Sequence, residues 1–325
     1  MCTAITLHSG DHYFGRNLDL EYTYCENVTV TPRNFPFVFR KKGAMSAHFA
    51  MIGMAYVRNG YPLYYDATNE KGLSMAGLNF PGNAVYKPVL SGVDNIAPFE
   101  FIPWILGQCA TIAEARSLIS HMNIAEIHFS SDLPLSPLHW IVADREGAIT
   151  VEAVADGLRV YDNPVGVLTN NPPFEYQMFN LNNYMGVGNC APKNRFSDAL
   201  ALQAYSRGMG GIGLPGDLSS MSRFVRAAFA KLNSECGDGE VHAVNQFFHI
   251  LDFVAHPRGC VKVEDGRCEI TVYSSCCNAD KGIYYYKTYE NSRITGVDMH
   301  REDLDGESLI SYPLLREEAF RVQNG

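Results

Sequence analysis

The sequence predicts a layered α+β fold in one continuous domain, and three observations lead there. Short β-rich runs fill the first half, two amphipathic helical stretches follow, and β-rich runs return near the end. No Pro/Ser-rich linker or composition break separates these blocks, so residues 1–325 are expected to fold together. With 46% hydrophobic and 19% charged residues, the chain carries enough apolar material for a substantial core.

Taken in order, the elements begin with a β-hairpin. Residues 3–8 are β-rich, Ser9-Gly10-Asp11 supplies turn chemistry, and residues 12–19 continue as the second strand. Cys2 therefore sits at the free end of a strand. Further strands are predicted at 27–31, 49–56, 72–79, 138–143, 148–154 and 158–161. Thr111 and Glu114, ahead of Ala115, Leu118 and Ile119, have the spacing of a capping box and mark a helix start.

Two longer helices are expected at 220–232 and 241–255, the second with Val244, Phe247, Phe248, Leu251 and Val254 in one apolar stripe. Strands then return at 269–274, 283–289 and 293–298. The stretch at about 184–219 differs, with Gly208, Gly210, Gly211, Gly213 and Gly216 close together. It lacks the G-x-x-x-x-G-K-[ST] pattern of a phosphate loop and reads as an ordered extended loop or assembly arm.

Composition narrows the function classes. A net charge of −9 argues against a nucleic-acid platform but leaves an anionic small-molecule substrate open. The first residues lack a basic and long apolar signal region, and no run of about 18 apolar residues offers a membrane span. The nine cysteines are read as reduced thiols of a cytoplasmic protein. Cys276 and Cys277 are adjacent on a predicted strand and would face opposite ways, one to the core and one to the surface, rather than share a metal. His242, His249 and His256 recur every seven residues on the last helix, a spacing that suits a solvated or packed face better than a ligand row. No metal and no cofactor is expected.

The chemistry gathers at the amino terminus. Removal of Met1 would place a thiol and a free α-amine on Cys2. An α-amine titrates near about 7.7–8.0, so it can serve as general base for its own side chain. Arg16, Asn17 and Asp19 lie on the second hairpin strand, with Arg16 and Leu18 on one face and Asn17 and Asp19 on the other. A cation near Cys2 would favour the thiolate, and a carboxylate would hold the α-ammonium. Asn79, ending a strand before Phe80-Pro81, and Asn170, at a turn before Asn171-Pro172, are side-chain amides able to donate to a developing oxyanion. Asparagine before proline is also a common turn former, so each site taken alone stays open.

These pieces stand in a family order. Met1-Cys2-Thr3 and Tyr13-Phe14-Gly15-Arg16-Asn17-Leu18-Asp19, then Thr31-Pro32-Arg33 and Asn69-Glu70-Lys71-Gly72-Leu73, resemble the choloylglycine hydrolase family of bile salt hydrolases and penicillin V acylases. The match runs on through Gly77-Leu78-Asn79-Phe80-Pro81, Leu168-Thr169-Asn170, Leu214-Pro215-Gly216-Asp217, Ser222-Arg223-Phe224 and Gly282-Ile283-Tyr284-Tyr285-Tyr286.

The resemblance implies a four-layer αββα sandwich of the N-terminal nucleophile hydrolase type, with the Gly-rich segment as a tetramer-forming arm. It assigns Cys2 as nucleophile, Arg16 and Asp19 as its electrostatic neighbours, Asn79 and Asn170 to the oxyanion and substrate-positioning sites, and Arg223 to a structural and catalytic arginine near the thiol. Asparagine at position 79, where penicillin V acylases typically carry tyrosine, places the chain with the bile salt hydrolases. The implied reaction releases glycine or taurine from conjugated bile salts. Leu18, Tyr22, Tyr24, Ile127 and Phe129 are candidates to line an apolar steroid pocket. Three other readings stand beside this one: an acylase for penicillin V or another N-acyl amide, a redox or metal-binding thiol protein, and an inactive scaffold that keeps Met1.

Overall fold

The computed structural model describes residues 1–324. In chain order the strands are β1 (Cys2–Ser9), β2 (Asp11–Leu20), β3 (Asn27–Thr31), β4 (Phe37–Phe39), β5 (Gly43–Met45), β6 (Met51–Arg58), β7 (Tyr61–Asn69), β8 (Ser74–Asn79) and β9 (Asp94–Ile96). They continue as β10 (Met122–Ile124), β11 (Leu138–Asp144), β12 (Gly147–Val154), β13 (Gly157–Asp162), β14 (Val167–Leu168), β15 (Ile270–Asn278), β16 (Ile283–Thr288), β17 (Thr295–Asp298) and β18 (Ile310–Pro313). The α-helices are α1 (Phe101–Gln108), α2 (Ile112–Ile119), α3 (Phe174–Asn180), α4 (Ser220–Asn233) and α5 (Glu240–Asp252).

Two antiparallel sheets carry the fold. One has six strands in the order β14-β1-β2-β15-β16-β17, the other eight in the order β13-β12-β11-β8-β7-β6-β3-β18. Alternation along each strand decides which layer a side chain joins. In the eight-stranded sheet Ala76, Leu78, Ile141 and Ala143 pack toward the six-stranded sheet. Their neighbours Met75, Trp140 and Val142 join Phe101, Ile105 and Ile119 of α1 and α2 instead. Phe224 and Ala227 of α4 and Phe247 and Leu251 of α5 cover the six-stranded sheet. The order is therefore helix, sheet, sheet, helix, the expected four-layer αββα sandwich. At about 1.5–3 kcal/mol per buried large apolar side chain, these layers supply the main stabilisation.

The hairpin pairs as the sequence predicts, with Cys2 opposite Leu18, Thr3 opposite Asn17 and Ala4 opposite Arg16. Gly15 permits the close approach of β2 to β15, since a Cβ there would lie 2.0 Å from the Ser275 carbonyl oxygen. Thr111 caps α2 by accepting from the Glu114 N–H. Residues 185–208 hold no helix or strand, and Met185, Phe196 and Tyr205 stand exposed on that segment.

Two expectations are corrected. Cys276 and Cys277 do point to opposite faces of β15, but both are buried, because the six-stranded sheet is covered on both sides. Burial pushes the Cys276 thiol well up and that of Cys277 to about 12, so both remain protonated packing groups. The second correction concerns α5, which stops at Asp252. His242 and His249 form an exposed helical face, while His256 lies beyond the helix and is buried.

Candidate active site

The hairpin divides its functional side chains between two faces. Cys2, Ala4, Arg16 and Leu18 share the face turned toward the eight-stranded sheet, as the pairing of Cys2 with Leu18 and Ala4 with Arg16 requires. The Arg16 guanidinium is fully buried, and its Nη1 donates to the carbonyls of Tyr65 on β7 at 3.0 Å and Gly77 on β8 at 2.5 Å. Its Nη2 is buried without a partner. Burial works against the charge, but neighbouring Cys2, Tyr273, Asp66 and Asp19 more than offset it, and the arginine stays cationic. Beneath it Asp66 accepts from the hydroxyls of Tyr273, Tyr284 and Ser275 at 2.8, 2.6 and 3.3 Å, tying the two sheets together.

Thr3, Asn17 and Asp19 occupy the opposite face, under α4 and α5. Asn17 donates to the Leu251 carbonyl at 2.9 Å. The buried Arg223 of α4 donates to Cys2 O, to Thr3 Oγ1 at 2.7 Å and to Asn170 Oδ1 at 2.8 Å. Asp19 Oδ1 accepts from Thr271 at 2.6 Å, and its Oδ2 lies 3.8 Å from Arg223 Nη1. The backbone nitrogen of Cys2 donates to Asn170 Oδ1 at 2.8 Å. Met1 extends the pairing: its carbonyl accepts from the Asp19 N–H at 2.8 Å, and its ammonium donates to the Asp19 carbonyl and to Glu269.

His256 and Glu269 complete this pocket; the sequence placed His256 in a row of helical histidines and did not single out Glu269. The His256 ring nitrogens lie 3.5 Å from Glu269 and 3.9 Å from Asp19. Burial pulls the imidazole down to about 4, so it is neutral near pH 7. Asp19, His256 and Glu269 each offer a ligand atom within 4.8 Å of the others. The two carboxylates already face cations, however, in Arg223 and the Met1 ammonium.

His12, buried on β2, is likewise pulled to about 4 by burial. Both histidines have folded-state values below the ordinary 6.5. Their stabilisation is therefore complete above about 6.5, is lost as the pH falls toward 4, and amounts to at most about 3 kcal/mol each. Urea melts at pH 7, 5.5 and 4.5 are expected to show this decline, and His12→Gln to flatten part of it.

The two asparagines meet beside Cys2. Asn170 Nδ2 donates to the Asn79 carbonyl at 2.7 Å, and the Asn170 N–H donates to Ser220 Oγ at the start of α4, also at 2.7 Å. Asn170 is thus occupied on both ends of its amide. Asn79 is exposed, and among the described residues its side-chain amide makes no hydrogen bond, which leaves its N–H groups available to a ligand.

An apolar cleft of about 920 Å³, counting its open mouth, is lined by residues of the eight-stranded sheet and the segments around it, and reaches Arg16 only through that residue's carbonyl partners. Gly77 and Tyr65, whose carbonyls hold Arg16, are among its lining residues, with Tyr56, Phe99, Leu135 and Trp140. Of the residues expected in such a pocket, Tyr24 and Phe129 belong to its lining. Leu18 instead packs between the sheets, because its place opposite Cys2 turns it into the core. Tyr22 is exposed and hydrogen-bonded to the Tyr24 hydroxyl at 2.7 Å, and Ile127 is half-buried outside the lining.

A thiol-bearing residue at a strand end, with its nitrogen held by an amide and a buried arginine beside it, can carry out acyl transfer once that nitrogen is free. Together with two stacked antiparallel sheets between helical layers, this defines the N-terminal nucleophile hydrolase fold. The profile of the linear amide C–N hydrolases, choloylglycine hydrolase family, matches residues 2–312. The chain is 56% identical to the bile salt hydrolase/transferase of Lactiplantibacillus plantarum over 324 residues, all of both chains. The crystal structure of a variant of the conjugated bile acid hydrolase from Clostridium perfringens superposes with a TM-score of 0.92 at 36% identity, covering 99% of this chain and 100% of that one. Penicillin V acylase from Agrobacterium tumefaciens shares the fold alone, with a TM-score of 0.75 at 18% identity over 95% of this chain and 90% of its own. This chain belongs to the choloylglycine hydrolase family.

Proposed function

We propose that the chain hydrolyses the amide of conjugated bile salts, releasing glycine or taurine and free bile acid through a thioester on Cys2. The observation that carries this reading is the link that Arg16 makes between the Cys2 strand end and the apolar cleft. The Cys2 nitrogen is held by Asn170, and the thiol shares a strand face with Arg16, whose carbonyl partners Tyr65 and Gly77 line that cleft. The relatives named as bile salt hydrolase/transferase, matched over 100% and 96% of their own lengths, support it.

With Met1 removed, the Cys2 thiolate attacks the amide carbonyl carbon and the carbonyl electron pair moves to oxygen. The Asn79 side chain donates to that oxygen. Collapse breaks the C–N bond, and the α-ammonium gives its proton to the departing amine. The free α-amine, oriented by Asn170 Oδ1, then takes a proton from water, whose hydroxyl cleaves the thioester. Arg223 and Asp19 fix the strand end that carries the amine. No residue in this scheme calls for a cofactor.

The deciding experiment measures amino-acid release from glycocholate and taurocholate beside cleavage of penicillin V by one purified sample. Release from the bile salts at the higher rate supports the reading, and faster penicillin V cleavage rejects it. Arg16→Leu is expected to slow Cys2 alkylation near neutral pH, because a neighbouring cation that favours the thiolate is lost. An unchanged alkylation profile in the folded variant would remove Arg16 from the scheme.

The exposed apolar side chains of the 185–208 segment support a homotetramer assembled through this arm, which sedimentation tests. Nine cysteines without a disulfide among the described residues fit a cytoplasmic setting, and no helix there is long and apolar enough to cross a membrane.

A further inference from the structure

We propose that His139 is a positioning residue that holds the Asn79 and Asn170 turns at a fixed separation beside Cys2. This rests on the roles proposed above for those asparagines. His139 lies on β11 opposite Leu78 of β8 and opposite Glu152 of β12, and it is fully buried. Its ring stacks on Phe80 with centroids 4.2 Å apart and planes inclined by 5°. Phe80 directly follows Asn79. The ring's Nε2 lies 2.8 Å from the carbonyl oxygen of Thr169, which directly precedes Asn170. One imidazole therefore touches the immediate neighbours of both asparagines.

The remaining contacts fix its orientation. A carbonyl can only accept, so Nε2 carries a proton, and Nδ1 lies 3.0 Å from Glu152 Oε1. The same carboxylate oxygen accepts from the N–H of Phe174 at 3.0 Å, at the start of the helix that follows the Asn170 turn. The ring is clamped from both ends in its plane and by Phe80 on its face. What depends on it is the direct bond from Asn170 Nδ2 to the Asn79 carbonyl at 2.7 Å, which closes the gap between the turns. A shift of about 1 Å in such a site can cost on the order of 10²-fold in rate. The Cys2 thiol is carried by β1, whose place is set by its full-length pairing with β2, and Asn170 reaches only the backbone nitrogen of Cys2, so the thiol's access to solvent does not depend on this clamp.

Three substitutions separate the contacts. His139→Gln can place an amide nitrogen near the Nε2 position and keep the Thr169 bond, whereas His139→Asn reaches only toward Glu152 and loses it. Phe80→Leu removes the stack alone. His139→Asn is expected to lower kcat about 10- to 100-fold with KM within about threefold, His139→Gln to recover most of that loss, and Phe80→Leu to lower kcat several-fold. Alkylation of Cys2 by iodoacetamide should proceed at the wild-type rate in all three, which a general collapse of the site would not allow. Equal kcat in the folded Asn and Gln variants, or a fall in alkylation parallel to kcat, overturns the proposal. If His139→Asn does not fold, unchanged kcat in Phe80→Leu overturns it. A wild type that releases no amino acid from bile salts would instead reject the function proposed above, and the two failures are distinguishable.

Discussion

Cys2→Ser is expected to fold normally and to lose nearly all amino-acid release from conjugated bile salts. The change removes one sulfur and leaves the backbone bonds of Cys2 to Asn170 and Arg223 in place, so the site should keep its shape. A hydroxyl with no lowered pKa is a far poorer nucleophile near neutral pH, and the neighbouring Arg16 cation cannot generate an alkoxide from it. Active wild-type enzyme should also lack Met1 by intact mass, since with Met1 attached the Cys2 nitrogen is an amide that cannot accept a proton. Full activity in Cys2→Ala, or in a preparation that retains Met1, would end the mechanism.

Asn79→Ala is expected to lower kcat by about 10²–10³, the usual effect of losing one preorganised oxyanion donor, with a much smaller rise in KM. Asn79 is well suited to such a clean test. Its carbonyl holds Asn170 and survives the substitution, while its side chain is exposed and makes no internal bond among the described residues. Asn170 makes a poorer probe, because its amide supports Cys2, Arg223 and Asn79 together. Steady-state kinetics on glycocholate decides the matter, and an unchanged kcat returns Asn79 to the role of a turn former.

The parts of the fold that were legible have a local cause. The 3–8 and 12–19 hairpin, the capped helix at Thr111 and the amphipathic α4 and α5 each carry a period or a cap that the chain displays without its partners. Helix α1 escaped because burial on every side erases the period, and strand β7 because its residues include poor strand formers. In α1, Phe101 to Gly107 are all buried, and Pro103 and Gly107 argue locally against a helix. Pro62 and Asp66 do the same for a strand in β7. The site divides similarly. Cys2, Arg16, Asp19, Asn79, Asn170 and Arg223 could be named from ordered motifs. His256 was misread because seven-residue spacing extends a helix that the structure ends at Asp252. Glu269 gains meaning only because the pairing of β15 with β2 brings it to the Met1 ammonium, 268 positions away in the chain.

The two-faced hairpin has a consequence for how this enzyme can diversify. Thiol and guanidinium look into the space between the sheets, whereas the amine's supports lie on the reverse side under α4 and α5. The ligand cleft draws heavily on segments outside both, notably Pro98, Phe99, Phe129 and the 133–136 loop. Part of the cleft wall is thus encoded in stretches that carry none of the proposed reactive groups. Acyl-group preference can drift through changes in those outer segments while the bond-breaking apparatus is inherited intact, so exchanging them between relatives should transplant selectivity without rebuilding the reaction.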